Sequence, residues 1–222
     1  MTDQVPVITI DGPSGSGKGT VAQLVAETLG FHVLDSGALY RLAGYSVEKA
    51  GIGFEDHEKA AELALAMEVT FDHGKVGLNG EDVSLAIRTE TAGNNASKVA
   101  AMPEVRAALL DWQRHAAVAP GLVADGRDMG TTVFPQAPLK VFLTASAEER
   151  AQRRYKQLKE KEISSNISRL AEEIRERDER DRNRSTSPLA PAGDALVIDS
   201  TGLSIEQVVE MILQAAREAL SE

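Results

Sequence analysis

The stretch DGPSGSGKGT (residues 11–20) is the feature that most restricts how this chain folds. It has the spacing G-x-x-x-x-G-K of a glycine loop, in which backbone N–H groups surround a phosphate. Residues 5–10, just before it, are apolar and β-branched and predict a buried parallel strand. The residues after it show apolar side chains at helical spacing, up to a stop at Gly30. We therefore expect a strand, a phosphate-binding loop and a helix, in that order.

The position after the lysine of the loop departs from the usual pattern. A Ser or Thr normally follows the lysine, but here Gly19 follows Lys18 and the hydroxyl comes one residue later, at Thr20. Without that direct hydroxyl, a magnesium ion would be held largely through the nucleotide and water. The chain also lacks an Asn-Lys-x-Asp guanine signature. Both features count against a GTPase switch.

Four more short apolar runs predict strands, and helical patterns separate them. The runs cover residues 31–35, 121–125, 139–145 and 195–199. Strands that alternate with helices favour a parallel sheet with helices on both faces. We therefore predict a single α/β unit over residues 1–222, with a five-stranded parallel sheet flanked by helices.

Residues 69–84 interrupt this alternation. Two turn signals, Asp72-His73-Gly74 and Asn79-Gly80, lie between short strand-like pieces, and Asn-Gly between extended residues is a strong hairpin signal. The pattern predicts a small antiparallel meander within an inserted subdomain at residues 62–98. A surface hairpin with no role of its own is an equal alternative.

Composition excludes several kinds of function. The formal net charge is −10, so the phosphates of nucleic acid would be repelled and any anionic ligand needs a local basic pocket. The chain has no cysteine, and its four histidines show no metal-ligand spacing. The N-terminus has no basic signal-peptide segment, and no apolar run is long enough to span a membrane. We expect a cytoplasmic protein without nucleic-acid, membrane or obligate protein partners and without a metal site of its own.

Polar residues follow two of the predicted strands, at the strand ends where open α/β sheets bind ligands. Ser36 follows the second strand and begins a helix, and Arg41 lies about one turn further on. By themselves these are an N-cap and a surface arginine. Asp125 ends the third strand, and Arg127 and Asp128 follow it on a glycine-flanked turn. Because a turn that serves geometry alone does not need both charges, we favour a functional role for this pair.

The segment RERDERDRNR, which ends at Arg184, is the densest run of charge. Its ordinary interpretation is a solvated helix with i,i+4 ion pairs, such as Arg177 with Asp181 and Asp178 with Arg182. In a helix, however, Arg177, Asp181 and Arg184 also lie on one stripe. Such a stripe suits recognition of phosphate by the guanidinium groups and of a sugar hydroxyl by the carboxylate.

Together, the motifs GPSGSGKGT, LDSGALYR, ADGRDMGT and ERDERDRNR resemble those of bacterial cytidylate kinases, and the resemblance extends over nearly the whole chain. The glycine loop fits many P-loop kinases, whereas the last two motifs are much more specific. The resemblance implies a five-stranded parallel core, an acceptor-binding insertion that the meander fits, and a mobile lid near residues 150–170. It also implies transfer of the γ-phosphate of ATP, with Mg²⁺, to CMP or dCMP.

The resemblance further implies a role for each motif residue. ATP would be bound by the glycine loop, namely Gly12, Pro13, Ser14, Gly15, Ser16, Gly17, Lys18, Gly19 and Thr20. The acceptor would be held through its phosphate by Ser36, Arg41 and Arg127, through its sugar by Ser97, Arg177 and Asp181, and through its base by Arg106, Asp128 and Arg184. The catalytic charges would be those of Lys18, Arg127 and Arg177. The lid would contribute Arg150, Arg153 and Arg154.

Phosphoryl transfer needs alignment and neutralisation of charge rather than a protein nucleophile, so we expect no such nucleophile. A closing lid would exclude water and so prevent hydrolysis of ATP. Two other functions stay open. One is a P-loop kinase for another small acceptor, such as UMP, AMP or shikimate. The other is a nucleotide-dependent switch or assembly ATPase with no phosphoryl acceptor, which the acceptor-side arginines disfavour.

Overall fold

The computed structural model describes residues 5–72, 75–160 and 165–221. Its described strands are β1 Val7–Asp11, β2 His32–Asp35, β3 Val69–Asp72, β4 Lys75–Leu78, β5 Glu81–Asp82, β6 Leu122–Gly126, β7 Leu139–Thr144 and β8 Leu196–Asp199. Its described helices are α1 Lys18–Leu29, α2 Ser36–Lys49, α3 His57–Leu65, α4 Glu90–Val99, α5 Pro103–His115, α6 Ala147–Glu160, α7 Ile167–Arg182 and α8 Ile205–Ala219. None of these described helices has both the length and the apolar character needed to cross a membrane. The chain forms two compact units: one runs up to Asp35 and resumes at Ala116, and the other is Ser36–His115.

The first unit contains a five-stranded parallel sheet in the order β2-β6-β1-β7-β8. Strands β1 and β6 are buried along their whole length, as expected of apolar strands in a sheet that is covered on both faces. Asp11 pairs with Gly126 and Asp35 with Asp125, so the carboxyl ends of β1, β2 and β6 lie at one edge of the sheet. The predicted five-stranded α/β fold is confirmed, and the strand ends differ from the prediction by at most two residues.

Helices α1 and α8 pack on this sheet through aliphatic side chains. Val21 and Val25 of α1 and Ile212 of α8 are buried in one cluster with Ile8 of β1. Burial of apolar surface stabilises this arrangement by roughly 25 cal/mol per Å². Because α1 begins at Lys18, directly after the glycine loop, the same core also fixes the position of the loop.

The second unit combines helices α2 to α5 with a small antiparallel sheet, β3-β4-β5. Leu39 of α2 and Leu109 of α5 are buried in its core. The predicted Asn79-Gly80 turn is confirmed: both residues have positive φ, 51° and 82°, between the paired strands β4 and β5. The other predicted turn includes residues 73–74, which lie outside the described residues. An acceptor-binding subdomain at residues 62–98 stays a prediction.

Candidate active site

The glycine loop joins β1 to α1 at the carboxyl edge of the parallel sheet. Gly15 and Gly17 have φ of 76° and 90°, a conformation that residues with a Cβ rarely adopt. Gly12 lies so close to β7 that a Cβ on it would come within 2.0 Å of the Leu143 carbonyl oxygen. The loop therefore requires glycine at these positions. The N-terminus of α1, which follows directly, carries the positive end of the helix dipole.

Lys18, the first residue of α1, is buried, and its Nζ donates to the Pro13 carbonyl oxygen at 3.3 Å. The same Nζ lies 3.8 Å from Oδ1 of Asp125. Burial and the charge of Arg127 lower the pKa of Lys18 to about 8, and Asp125 acts in the opposite direction. Burial raises the pKa of Asp125 to about 7. A buried lysine and a buried aspartate whose pKa values are shifted toward each other are typical of a functional site.

Gly19 brings α1 close to the same carboxylate. A Cβ on Gly19 would lie 3.2 Å from Oδ2 of Asp125, closer than ordinary van der Waals contact. Asp35 pairs with Asp125 across β2 and β6, and its charge adds to the rise in the pKa of Asp125. The Asp125 carboxylate therefore lies where a Ser or Thr side chain at position 19 would project.

Asp11, the first residue of the stretch 11–20, has no role predicted from the sequence, but it ties β1 to the turn after β6. Its carboxylate oxygens accept from the backbone N–H groups of Met129 and Gly130, each at 2.8 Å. The turn Met129–Val133 is π-helical, a geometry that is frequent at functional sites. Burial raises the pKa of Asp11 to about 6 in spite of these two donors. The available signal was an acidic residue at the end of a buried strand, immediately before the glycine loop.

Arg127, just before this turn, forms a partly buried ion pair with Asp181 of α7: its Nε donates to Oδ2 at 2.8 Å. Burial alone would raise the pKa of Asp181, but Arg127, Arg184 and Arg177 hold it below its usual range. Nε of Arg184 donates to the Asp181 carbonyl oxygen at 3.2 Å. Asp128 and Asp181 are each 2% exposed. The structure thus brings together the charged residues that the last two motifs predicted.

Two aspartates of α7 bond to arginines of other elements. Asp181 binds Arg127, and Asp178 binds Arg150 of α6 through both carboxylate oxygens. The local i,i+4 interpretation missed both contacts, because that spacing describes partners within one helix only. Helix α7 ends at Arg182. The prediction that Arg184 lies on a helical stripe is therefore wrong, although Arg184 still contacts Asp181.

Arg150 and Arg153 of α6 contact backbone carbonyl groups of the glycine loop. Nη1 of Arg150 donates to the Ser14 carbonyl oxygen at 3.0 Å, and Nη1 of Arg153 donates to that of Ser16 at 3.2 Å. Arg154, on the same helix, is half-buried. Residues 161–164 of the predicted lid lie outside the described residues, and the lid at residues 150–170 stays a prediction.

A cavity of about 550 Å³ opens beside the glycine loop. Besides the loop and Lys18, it is lined by Arg153 and Lys156 of α6, by Ser200 after β8 and by Ile205 of α8. Small-molecule sites are typically clefts of roughly 300–1,000 Å³. The volume therefore suits a ligand of nucleotide size with its phosphates at the loop.

In the second unit, Ser36 and Arg41 both have defined partners. The Ser36 hydroxyl is buried and donates to Oε1 of Gln113 at 2.7 Å. Gln113 is only 1% exposed, and sequence reasoning gave no signal for it. Nη1 of Arg41 donates to the Ile87 and Thr89 carbonyl oxygens at 2.7 and 3.2 Å. The Arg41 side chain thus lies against the end of a short 3-10 turn, Ala86–Arg88.

Ser97 and Arg106 are buried in the same unit. Nη1 of Arg106 donates to the Ala100 carbonyl oxygen at 3.2 Å, and its guanidinium lies 5.5 Å from the centre of the Tyr40 ring. The hydrogen bond to Ala100 and the cation–π contact with Tyr40 together hold the guanidinium in place. Arg106 is therefore a fixed cation within the second unit.

Comparison with known proteins agrees with the resemblance in the motifs. The family model "Cytidylate kinase" matches residues 8–218. The cytidylate kinase of Colwellia psychrerythraea is 56% identical to this chain, and the match covers 100% of both sequences. That of Marinomonas sp. is 58% identical, and the match covers 99% of both sequences. A gluconokinase structure from Sinorhizobium meliloti 1021 has a TM-score of 0.51 at 16% identity, covering 98% of this chain and 95% of its own, which shows a common fold. The chain belongs to the cytidylate kinase family.

Proposed function

We propose that this chain transfers the γ-phosphoryl group of ATP to the phosphate of CMP or dCMP. An oxygen of the acceptor phosphate attacks the γ-phosphorus, the bond from that phosphorus to the β–γ bridging oxygen breaks, and the products are ADP and CDP or dCDP. The observation that carries the proposal is the identity of 56–58% to cytidylate kinases along the full chain. The buried charges around Lys18 at the carboxyl edge of the sheet supply the chemistry that this reaction requires.

We assign the donor triphosphate to the glycine loop. Its backbone N–H groups and the positive end of α1 would bind the phosphates, and Lys18 would neutralise charge on the β- and γ-phosphates. Arg127 and Arg177 would stabilise the moving phosphoryl group, since electrostatic stabilisation is the main contribution of a protein to this reaction. Their influence on the pKa of Lys18 supports this assignment, because it requires all three cations to lie near one another.

We assign the acceptor to nine polar residues. Its phosphate would contact Ser36, Arg41 and Arg127, its sugar Ser97, Arg177 and Asp181, and its base Arg106, Asp128 and Arg184. Six of the nine are 9% exposed or less, namely Ser36, Ser97, Arg106, Asp128, Asp181 and Arg184. Burial of polar and charged groups is costly unless they are satisfied by partners or by a ligand. Their burial therefore supports roles in binding.

The carboxylates near Lys18 fit a Mg²⁺ ion that arrives with the nucleotide. Asp35 and Asp125 end neighbouring strands, and carboxylate oxygen is a ligand that Mg²⁺ prefers. We propose that these two carboxylates add to the nucleotide and water that largely hold the ion. The position of Asp125 against Gly19 supports this, because the carboxylate lies where the hydroxyl ligand of the usual loop would project. When bound, the ion neutralises charge on the phosphates.

A panel of acceptors in a coupled assay of ADP formation tests the proposal. We expect ADP to form rapidly only when CMP or dCMP is added. A preference for UMP, AMP or shikimate would establish a kinase for another acceptor, and rapid turnover without any acceptor would establish an ATPase.

Lys18→Ala should lower kcat on the order of 10³-fold, comparable with the loss of other charge clamps. Lys59→Ala, which removes an exposed lysine of α3, should retain the wild-type rate.

A further inference from the structure

Two carbonyl groups of the glycine loop point at arginines of α6. The Ser14 carbonyl accepts from Arg150 at 3.0 Å, and the Ser16 carbonyl accepts from Arg153 at 3.2 Å. Each of these carbonyls belongs to a peptide group whose N–H is carried by the next residue, Gly15 or Gly17.

The orientation of each carbonyl fixes the orientation of that N–H. A peptide group is planar, and in the trans form its C=O and N–H point in opposite directions. With the Ser14 and Ser16 carbonyls directed at α6, the N–H groups of Gly15 and Gly17 point away from α6. Glycine adopts positive and negative φ with similar ease, so these peptide planes need external contacts to keep one orientation.

The two guanidinium groups are themselves held firmly. Nη1 and Nη2 of Arg150 donate to Asp178 at 3.0 and 2.5 Å, and Nε donates to the Ala145 carbonyl oxygen at 3.0 Å. Arg150 is 2% exposed and Asp178 4% exposed. All three nitrogen atoms of this guanidinium therefore donate to protein groups.

Arg153 is held in a similar way on the other peptide. Its Nη2 donates to the Ser200 carbonyl oxygen at 2.8 Å, its Nη1 is shared between Ser16 and the Ser200 hydroxyl, and its Nε donates to Glu149 at 3.0 Å. The fork shape of a guanidinium allows one side chain to make all these bonds at once. Arg153 thereby connects the end of β8 to the loop.

We propose that Arg150 and Arg153 are positioning residues that orient the Gly15 and Gly17 N–H groups of the glycine loop toward the donor phosphates. They act from the carbonyl side of the peptides, and Asp178 holds Arg150 in place for this purpose. The inference rests on the proposed function, in that the loop is taken to bind ATP. It differs from the phosphate contacts expected of lid arginines, because it operates before any nucleotide binds.

Variants of Arg153 test the proposal without removing a buried ion pair. In Arg153→Lys the positive charge stays but the fork is lost, and in Arg153→Met both are lost. We expect both variants to weaken ATP binding by about 10-fold, the loss typical of one charge-assisted hydrogen bond. Both should also shift the amide NMR signal of Gly17 in the nucleotide-free protein. Arg217→Met, at an exposed position of α8, should change neither quantity.

Asp178→Asn tests the other peptide, since one of the two carboxylate oxygens that accept from Arg150 becomes an NH2 group, which does not accept. It should shift the amide signal of Gly15 more than that of Gly17, and the Arg153 variants should do the reverse. The folded fraction is checked by the dispersion of the remaining amide signals. Two outcomes would overturn the proposal. The first is wild-type ATP affinity in Arg153→Lys with weakened ATP binding in Arg153→Met, which would indicate a direct contact between the charge and phosphate. The second is that the amide signals of Gly15 and Gly17 do not shift in the variants.

Failure of this inference is distinguishable from failure of the proposed function. ATP binding is measured by calorimetry without an acceptor, and the amide signals are measured without any nucleotide. A wild-type chain that does not bind ATP would remove the donor assignment itself. A wild-type chain that binds ATP, with unchanged binding in the Arg153 variants, would remove only the positioning role.

Discussion

The Asp125 carboxylate and Gly19 are in direct proximity: a Cβ on Gly19 would lie 3.2 Å from Oδ2 of Asp125. The same carboxylate lies 3.8 Å from Nζ of Lys18. One acidic group thus approaches both the lysine of the loop and the residue that replaces the usual hydroxyl. The shift of the hydroxyl to Thr20 fits this contact, because any side chain at position 19 would crowd the Asp125 carboxylate in its present place.

Gly19→Ser should therefore impair the protein even though it restores the usual loop sequence. The added side chain has to displace Asp125 by a few tenths of an ångström, which moves the carboxylate that we propose to lie beside the magnesium ion and next to Lys18. We expect kcat/KM to fall by about 10-fold or more, in line with the sensitivity of catalysis to small displacements. Gly19→Ala should show most of the same loss, since the Cβ alone causes the crowding.

Gly193→Ser is the matched control for this change. A Cβ on Gly193 would meet no atom within 4 Å, so the same substitution should leave steady-state kinetics unchanged. Wild-type kcat/KM in Gly19→Ser would show that Asp125 does not need its present position.

Asp125 also gives the free energy of unfolding a pH dependence of known sign. Its pKa is about 7 in the folded chain against an ordinary value of 3.8. Between those values the folded state binds more protons than the unfolded state, so the stability contributed by this group falls as pH rises. In Asp125→Asn that titration is absent. The free energy of unfolding of the variant minus that of the wild type should increase between pH 5 and pH 7, by roughly 1–3 kcal/mol.

Loss of Asp125 also removes the charge that raises the pKa of Lys18, so this pKa falls further in Asp125→Asn. The lower pKa of Lys18 likewise makes the difference in the free energy of unfolding increase with pH. Urea denaturation at several pH values measures the difference. Asp111→Asn makes the same substitution at an exposed position of α5 and serves as the control. A difference for Asp125→Asn that stays constant or decreases with pH would contradict the raised pKa.

The fold could be predicted from the sequence because its signals are local. The strand β1 is a short buried run that ends at the glycine loop. The turn between β4 and β5 is marked by Asn79-Gly80, because these two residue types favour the positive φ that such a turn needs. The partners of charged residues could not be predicted in this way. Asp11 bonds to residues more than a hundred positions away, and the Arg150–Asp178 pair joins two helices. Such contacts depend on tertiary packing, which spacing along one helix does not encode.

Asp181→Ala should weaken acceptor binding and leave the KM for ATP nearly unchanged. Asp181 is 2% exposed and accepts from Nε of Arg127, so its removal leaves a partly buried guanidinium without this partner and deletes the proposed ligand of a sugar hydroxyl. A cost of about 1–3 kcal/mol is expected for such a loss, which corresponds to a rise of about 5- to 150-fold in the KM for CMP. Glu173→Ala, on an exposed position of the same helix, serves as the control. A loss confined to ATP would place α7 on the donor instead.

The final prediction concerns the base of the acceptor. Cytosine presents an N4 amino donor beside its N3 acceptor, whereas uracil presents an O4 acceptor and an N3 donor. A carboxylate accepts from cytosine N4 and would face uracil O4 with lone pair against lone pair. Asp128 is the residue that we assign to N4, with Arg106 or Arg184 as donors to N3 or O2. Asp128 is 2% exposed, and it precedes the π-helical turn that Asp11 holds through two backbone N–H groups.

A buried site built on such hydrogen bonds discriminates by roughly 10⁴-fold, because the wrong base leaves its polar groups unpaired. We expect CMP and dCMP to be good acceptors, UMP a weak one and AMP negligible. Asp128→Asn should narrow the gap between CMP and UMP, since an amide is able to donate to O4, whereas Asp111→Asn should leave it unchanged. The measurement is kcat/KM for CMP and UMP in both variants and the wild type. An unchanged ratio in Asp128→Asn would remove Asp128 from recognition of the base. A wild-type preference for UMP or AMP would overturn the proposed acceptor, and with UMP the Asp128 carboxylate would face the O4 acceptor atom of the preferred substrate.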